Sequence, residues 1–100
     1  MEIGQVVGQV VATVKQPGLR GHILLVLVPV DIDGAATDRP SRPSYVAVDY
    51  IGAGLGEVVL VARGSAARVD GDTVSVPSDA AVVGIVDSVA IRNQTVFTKS

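Results

Sequence analysis

Two stretches of the chain are apolar at every position, Ile23-Leu24-Leu25-Val26-Leu27-Val28 and Val58-Val59-Leu60-Val61. Their many branched side chains favour β-strands. An antiparallel strand with one face in water alternates apolar and polar residues, so this pattern predicts that both faces are covered. A small barrel has only one interior, and we therefore predict that contacts between subunits cover the outward face. The alternative cover is the chain itself, through residues 31–44 or the segment beyond Ile91.

Outward from these stretches, apolar runs recur along the chain and are bounded by Gly, Pro or Asp residues. A chain of 100 residues has room for one hydrophobic core, so we expect residues 1–100 to form a single domain. The order of the runs predicts an all-β fold, a small five-stranded barrel of the oligonucleotide/oligosaccharide-binding (OB) type. The runs that predict about five principal strands lie at residues 6–7, 10–12, 23–30, 45–51, 58–62 and 82–91.

The connecting segments have other characters. Residues 31–44 contain many turn formers and no period, which predicts a surface loop. Small side chains at residues 64–68, with a capping residue in Ser65, predict one short helical turn. Residues 70–76 predict a minor hairpin, and residues 92–100 are expected to be a tail.

The composition excludes several classes of function. The chain has no cysteine, so disulfides and thiol chemistry are not available. Its net charge is -2, with no basic run and only 3% aromatic residues, so no nucleic-acid partner is expected. Glu2 stands where a signal peptide carries basic residues, and residues 23–30 are too short to cross a membrane as a helix. We expect a cytoplasmic protein with no membrane partner.

The glycine-rich stretch Gly52-Ala53-Gly54-Leu55-Gly56 superficially resembles a dinucleotide-binding loop. That loop needs a third glycine where Glu57 stands, and it opens a helix, whereas this stretch enters a predicted strand. The glycines are better explained by positive φ angles and close backbone approach, either in a hairpin or at a crowded symmetry axis. No cofactor is predicted.

Catalytic and metal-binding residues are not indicated either. His22 is the only histidine, and no ligand spacing surrounds it, so we expect it at the surface or at a strand edge. No nucleophile, base and orienting group can be named together, and we expect that the protein is not an enzyme.

The strand at residues 57–63 offers a prediction for the interface. Alternation places Val58 and Leu60 on one face and Val59 and Val61 on the other. The second face also holds the charged ends of the segment, Glu57 and Arg63. We therefore expect Val59 and Val61 to point outward into the subunit interface, and Val58 and Leu60 to lie in the barrel core.

Five blocks of residues, in order, resemble the pentameric vertex proteins of bacterial microcompartments, the carboxysome and ethanolamine-utilisation type. The blocks cover most of residues 4–87 and lie at residues 4–13, 19–26, 46–57, 64–68 and 77–87. They read GQVVGQVVAT, LRGHILLV, VAVDYIGAGLGE, GSAAR and PSDAAVVGIVD.

The resemblance implies a structural protein, a homopentamer of small β-barrels that caps the vertices of a polyhedral shell in the bacterial cytoplasm. Its other partners would be the hexameric proteins that tile the shell, and an axial channel would limit leakage. Gly54, Leu55, Ser65 and Ala66 are the candidates for the axial pore. The alternative is a free-standing oligomeric OB-like barrel that binds a ligand or nucleic acid.

Overall fold

The computed structural model describes residues 1–13, 21–30, 43–64 and 79–99. Five strands form a closed barrel in the order β1-β2-β3-β5-β4, and two more form a separate sheet. The barrel strands are β1 (Glu2–Val10), β2 (Ile23–Pro29), β3 (Tyr45–Asp49), β4 (Val58–Arg63) and β5 (Ala80–Ile85). The separate sheet pairs β6 (Ser88–Ile91) with β7 (Gln94–Thr98). The predicted all-β fold with a five-stranded barrel is confirmed.

The barrel closes through four antiparallel pairs of strands and one parallel pair, β3 with β5. The register shifts between Val6 and Gly8 on β1, and again where β4 meets β5. Such bulges bend strands and increase their twist, which helps so small a barrel to close. Strands β1 to β5 all have neighbours on both sides, so the barrel has no edge strand.

The interior of the barrel is filled by small and medium-sized aliphatic side chains. This explains how a chain with 3% aromatic residues builds a core: five strands enclose a space that Val, Leu and Ala fill. Tyr45 and Ala53 pack against this cluster. Its buried members are Val6, Leu25, Leu27, Ala47, Val59, Val61, Ala80 and Val82.

The predicted orientation of β4 is wrong. Val59 and Val61 are both fully buried and belong to the core cluster, so they do not form a subunit interface. Leu60 points outward and is half-buried, while Val58 is buried but lies outside the core cluster. The charged ends misled the prediction because inward positions at the end of a barrel strand reach solvent at the mouth. Arg63 does so and bonds Glu2 at 3.4 Å.

The predicted tail is also wrong, since residues 94–98 form β7 and pair with β6. The long strand expected at residues 82–91 is divided between β5 and β6. Arg92 and Asn93 join β6 to β7 with φ angles of 52° and 64°, the two positive values that tight hairpin turns require. The minor hairpin predicted at residues 70–76 lies outside the described residues, as do all of the helical turn predicted at residues 64–68 except Gly64 and most of the loop at 31–44.

Candidate assembly surfaces

The outward positions of three adjacent strands form an uncharged surface. On β2, Leu24, Val26 and Val28 alternate with the core residues and point away from the interior. Val26 lies opposite Gly8 of β1 and Val46 of β3 in the registers of the two pairs. Val10 of β1 lies opposite Leu24. We call the surface that these residues form the outer apolar face. It consists of Gly8, Val10, Leu24, Val26, Val28 and Val46.

The outer apolar face is open to solvent in the single chain. Val46 is 44% exposed, and the other side chains of the face are half-buried. A Cβ atom at Gly8 would lie 3.7 Å from that of Val26, so Val26 covers the glycine. Contiguous exposed apolar surface of this kind is typical of protein interfaces. The sequence predicted that strands with two apolar faces need an external cover. The outer apolar face is the surface to which this prediction applies.

A second outward row crosses β1, β4 and β5. Leu60 lies opposite Ile3 on one side and Gly84 on the other. A Cβ atom at Gly84 would lie 3.6 Å from the Cβ of Leu60, which shows that Leu60 packs along this row. In the barrel order the outer apolar face spans β1, β2 and β3, and the Leu60 row spans β1, β4 and β5, so the two surfaces have only β1 in common. A closed ring of identical subunits needs two different complementary surfaces.

Part of the outward surface is covered within the chain. Val48, Ala62 and Ala81 point away from the core cluster and yet are buried. Ala81 lies opposite both of the other two residues, so they form one patch. This patch is therefore already buried in the single chain.

A single carboxylate anchors the glycine-rich loop. Asp49 ends β3 and is buried, with 8% of its surface exposed. Its side chain accepts hydrogen bonds from the backbone N–H groups of Ile51, Gly52 and Ala53 at 3.0 to 3.1 Å. Gly52 has a φ of 90°, a conformation that glycine adopts without strain. The sequence analysis assigned Asp49 no role, although an Asp followed by glycine within three residues is a local turn signal.

The second half of this loop is fastened to β1. The Gly56 N–H donates to the Val6 carbonyl at 2.8 Å, and the Gln5 side-chain amide donates to the Gly56 carbonyl at 3.2 Å. The loop is thus held at both ends while Leu55 at its tip is 78% exposed. Of the predicted pore residues, the structure places Gly54 and Leu55 on this loop. Ser65 and Ala66 lie outside the described residues.

Glu57 closes the turn at the tip of the loop. Its carboxylate accepts a 2.6 Å hydrogen bond from the Gly54 N–H and forms a 3.1 Å ion pair with Lys99. The backbone hydrogen bond, followed by the bond to Lys99, lowers the pKa of Glu57 below its usual 4.5. A carboxylate whose pKa is lower in the folded state stabilises the fold above its ordinary pKa and loses that contribution as pH falls.

We expect the Gly54–Glu57 turn to loosen only below about pH 4.5. The Gly54 amide proton, followed by NMR during an acid titration, should shift with a midpoint below that pH. In Glu57→Gln the same proton should show no titration. A midpoint above pH 5 in the unmodified protein would contradict the described hydrogen bond.

The opposite end of the barrel carries a polar cluster of Glu2, Tyr45 and Arg63. The Tyr45 hydroxyl donates to Glu2 at 3.0 Å, and the Arg63 guanidinium lies 4.5 Å from the centre of the Tyr45 ring. Burial, followed by the bond to Glu2, raises the pKa of Tyr45 to about 12. Gly4 makes room for this arrangement, because a Cβ there would lie 3.3 Å from the Tyr45 hydroxyl. The cluster links β1, β3 and β4 at this end of the barrel.

His22 and the possible metal ligands were the remaining polar groups of interest among the described residues. His22 is half-buried and meets the Tyr50 ring edge-on, with 5.6 Å between centroids. Within the described ranges no three His, Cys, Asp or Glu side chains gather as metal ligands. None of the described residues belongs to a helix long and apolar enough to span a membrane.

The described residues thus form a closed barrel with a hydrogen-bonded loop and two uncharged outward surfaces, which are features typical of a structural domain that associates with other chains. Comparison with known proteins identifies which one: the chain belongs to the EutN/CcmL family. The family model, described as ethanolamine utilisation protein EutN/carboxysome, matches residues 1–87.

Individual relatives agree with this assignment. The chain is 43% identical to the carboxysome shell vertex protein CcmL of Synechocystis sp., over 99% of this chain and 95% of the relative. The solved structure of Gloeobacter violaceus CcmL superposes with a TM-score of 0.88 at 41% identity, covering 99% and 98% of the two chains. GrpN, a pentameric microcompartment shell protein from Rhodospirillum rubrum, gives a TM-score of 0.75 at 42% identity. That match covers 93% of this chain and 100% of GrpN.

Proposed function

We propose that this protein is a structural, non-enzymatic shell protein, a homopentamer that caps the vertices of a bacterial microcompartment. The observation that carries the proposal is the likeness to GrpN, a pentameric shell protein, over nearly the whole of both chains. The outer apolar face supports it, because a folded monomer would leave this surface in water. The protein would act in the bacterial cytoplasm, as part of the shell.

The proposed mechanism is geometric. A flat sheet of hexameric shell proteins does not close, and a five-fold unit at each vertex supplies the missing curvature. Each subunit of a ring offers one surface to the next and another to the previous subunit, and the ring closes when the rotation returns to its start. The outer apolar face and the Leu60 row are two such surfaces on one barrel.

The axial pore is a further part of the proposal. The glycine-rich loop is fastened by Asp49 and by β1, so its tip keeps a fixed shape. A rigid loop is suited to lining a narrow channel, because its opening does not fluctuate. Gly54 and Leu55 remain our candidates on this loop, and Ser65 and Ala66 complete the proposed set.

The experiment that tests the function removes the protein from cells that make the shell. We expect shells that stay open or leak, because only the five-fold positions are then unfilled. Electron microscopy of purified shells and retention of a co-expressed cargo measure both properties. Shells of normal shape and retention, in a strain that encodes no second vertex protein, would contradict the proposal.

A further inference from the structure

The hairpin of β6 and β7 is a separate part of the structure. Its two strands pair with each other and join none of the barrel strands in a sheet. A two-stranded hairpin alone is at best marginally stable in water and needs packing against another surface. The turn adds a demand, since Arg92 adopts a positive φ that is costly for a residue with a side chain. Packing of the hairpin against a surface would offset both the low stability of an isolated hairpin and the cost of the positive φ at Arg92.

The base of the hairpin is fixed to one side of the barrel. The Lys99 N–H donates to the Asp87 carbonyl at 2.7 Å, which closes the hairpin where it leaves β5. The Lys99 side chain pairs with Glu57 at 3.1 Å, directly before β4. The hairpin therefore leaves the barrel at the β4–β5 side, whereas the outer apolar face lies on β1 to β3.

The hairpin carries apolar side chains that the single chain leaves partly open. Phe97 lies opposite Val89 and both are half-buried, as is Ile91. Val96, beside Phe97, is 45% exposed. Phe97 is one of three aromatic residues in the chain, and aromatic side chains are enriched in the cores of interfaces.

We propose that the β6–β7 hairpin is an arm that packs on the outer apolar face of the adjacent copy of this chain. The proposal rests on the proposed ring. The occupant is a second copy because both surfaces are apolar and lie on different sides of one barrel, so each subunit supplies one to its neighbour. Repetition of this contact around the axis gives the head-to-tail arrangement of a closed ring.

The lack of cysteine permits a direct test. The double variant Val46→Cys/Val96→Cys places one thiol on the outer apolar face and one on the arm, both at exposed positions. With a short flexible bismaleimide we expect a ladder of covalent products ending at five chains. Each single variant is the control, because a chain with one thiol joins at most one other chain.

The outcomes separate the arm from the ring. A double variant that is pentameric by native mass spectrometry but yields no product above two chains overturns the arm and leaves the proposed function standing. Cross-linking only within single chains would likewise overturn the arm and leave the proposed function standing. A monomeric unmodified protein overturns the ring itself.

Removal of the apolar side chains of the arm is the second test. In Val96→Ser/Phe97→Ser the barrel core is untouched, and we expect a folded protein whose subunits associate at least about tenfold more weakly. Thr95→Ser, on the same strand, is the control and should associate normally. Unchanged association of the double Ser variant would also overturn the arm.

Discussion

Val59→Glu is expected to abolish folding. Val59 is fully buried in the barrel core, and no basic side chain lies among the members of its cluster. Leaving an unpaired charge at such a site costs about 3–5 kcal/mol. Domains are stabilised by roughly 5–15 kcal/mol, and a chain of 100 residues belongs to the lower part of that range, so this cost removes most or all of its stability. Far-UV circular dichroism of the variant should show a disordered chain at room temperature.

Leu60→Glu is the matched control, since it makes the same kind of change one residue along the strand. Leu60 points outward and is half-buried, so the new carboxylate reaches water in the single chain. We expect a folded barrel with weakened association. A folded Val59→Glu protein beside an unfolded Leu60→Glu protein would show that the faces of β4 are the reverse of those described.

Val46→Glu is expected to give folded, dissociated subunits. Val46 is 44% exposed on the outer apolar face, so in the single chain the substitution should change stability by no more than about 0.5 kcal/mol. In a ring that covers this face the same carboxylate would be desolvated without a partner. Sedimentation velocity should show the mass of one chain, while thermal unfolding stays close to that of separated wild-type subunits.

Val46→Thr tests whether shape or charge matters at this position. It keeps the branched shape and adds no charge, so we expect it to assemble with at most a modest loss of affinity. If Val46→Glu sediments with the unmodified protein at micromolar concentration, the outer apolar face is not part of the interface.

The sequence predicted the barrel well because hydrophobic strands and glycine turns are local signals. The run at residues 23–28 became β2, with Leu25 and Leu27 inside and its other side outward. The predicted positive φ angles of the glycine stretch are found at Gly52 and Gly56. Apolar residues on both faces of β2 predicted that its outward side needs a cover, and this outward side is part of the outer apolar face.

Which face of β4 points into the barrel was not predictable from the residues of β4 alone. Val58, Val59, Leu60 and Val61 are apolar on both faces, so the pattern has two equivalent solutions. Only pairing with β1 decides between them, because Gly4 lies opposite Val59 on the inside and Ile3 lies opposite Leu60 on the outside. That pairing joins strands far apart in sequence, which a local pattern does not show.

The hairpin was missed for a different reason. Its turn places Arg92 and Asn93 at positive φ, and arginine is not a residue that signals such a turn.

The anchoring role of Asp49 depends on three backbone N–H groups converging on one carboxylate, a geometry that appears only in the folded loop.

The native mass of the purified, unmodified protein tests the central claim most directly. One chain has a mass of 10.2 kDa, and the account predicts a single dominant species of five chains, about 51 kDa, at micromolar concentration. A stable monomer, dimer or hexamer as the dominant species would contradict it.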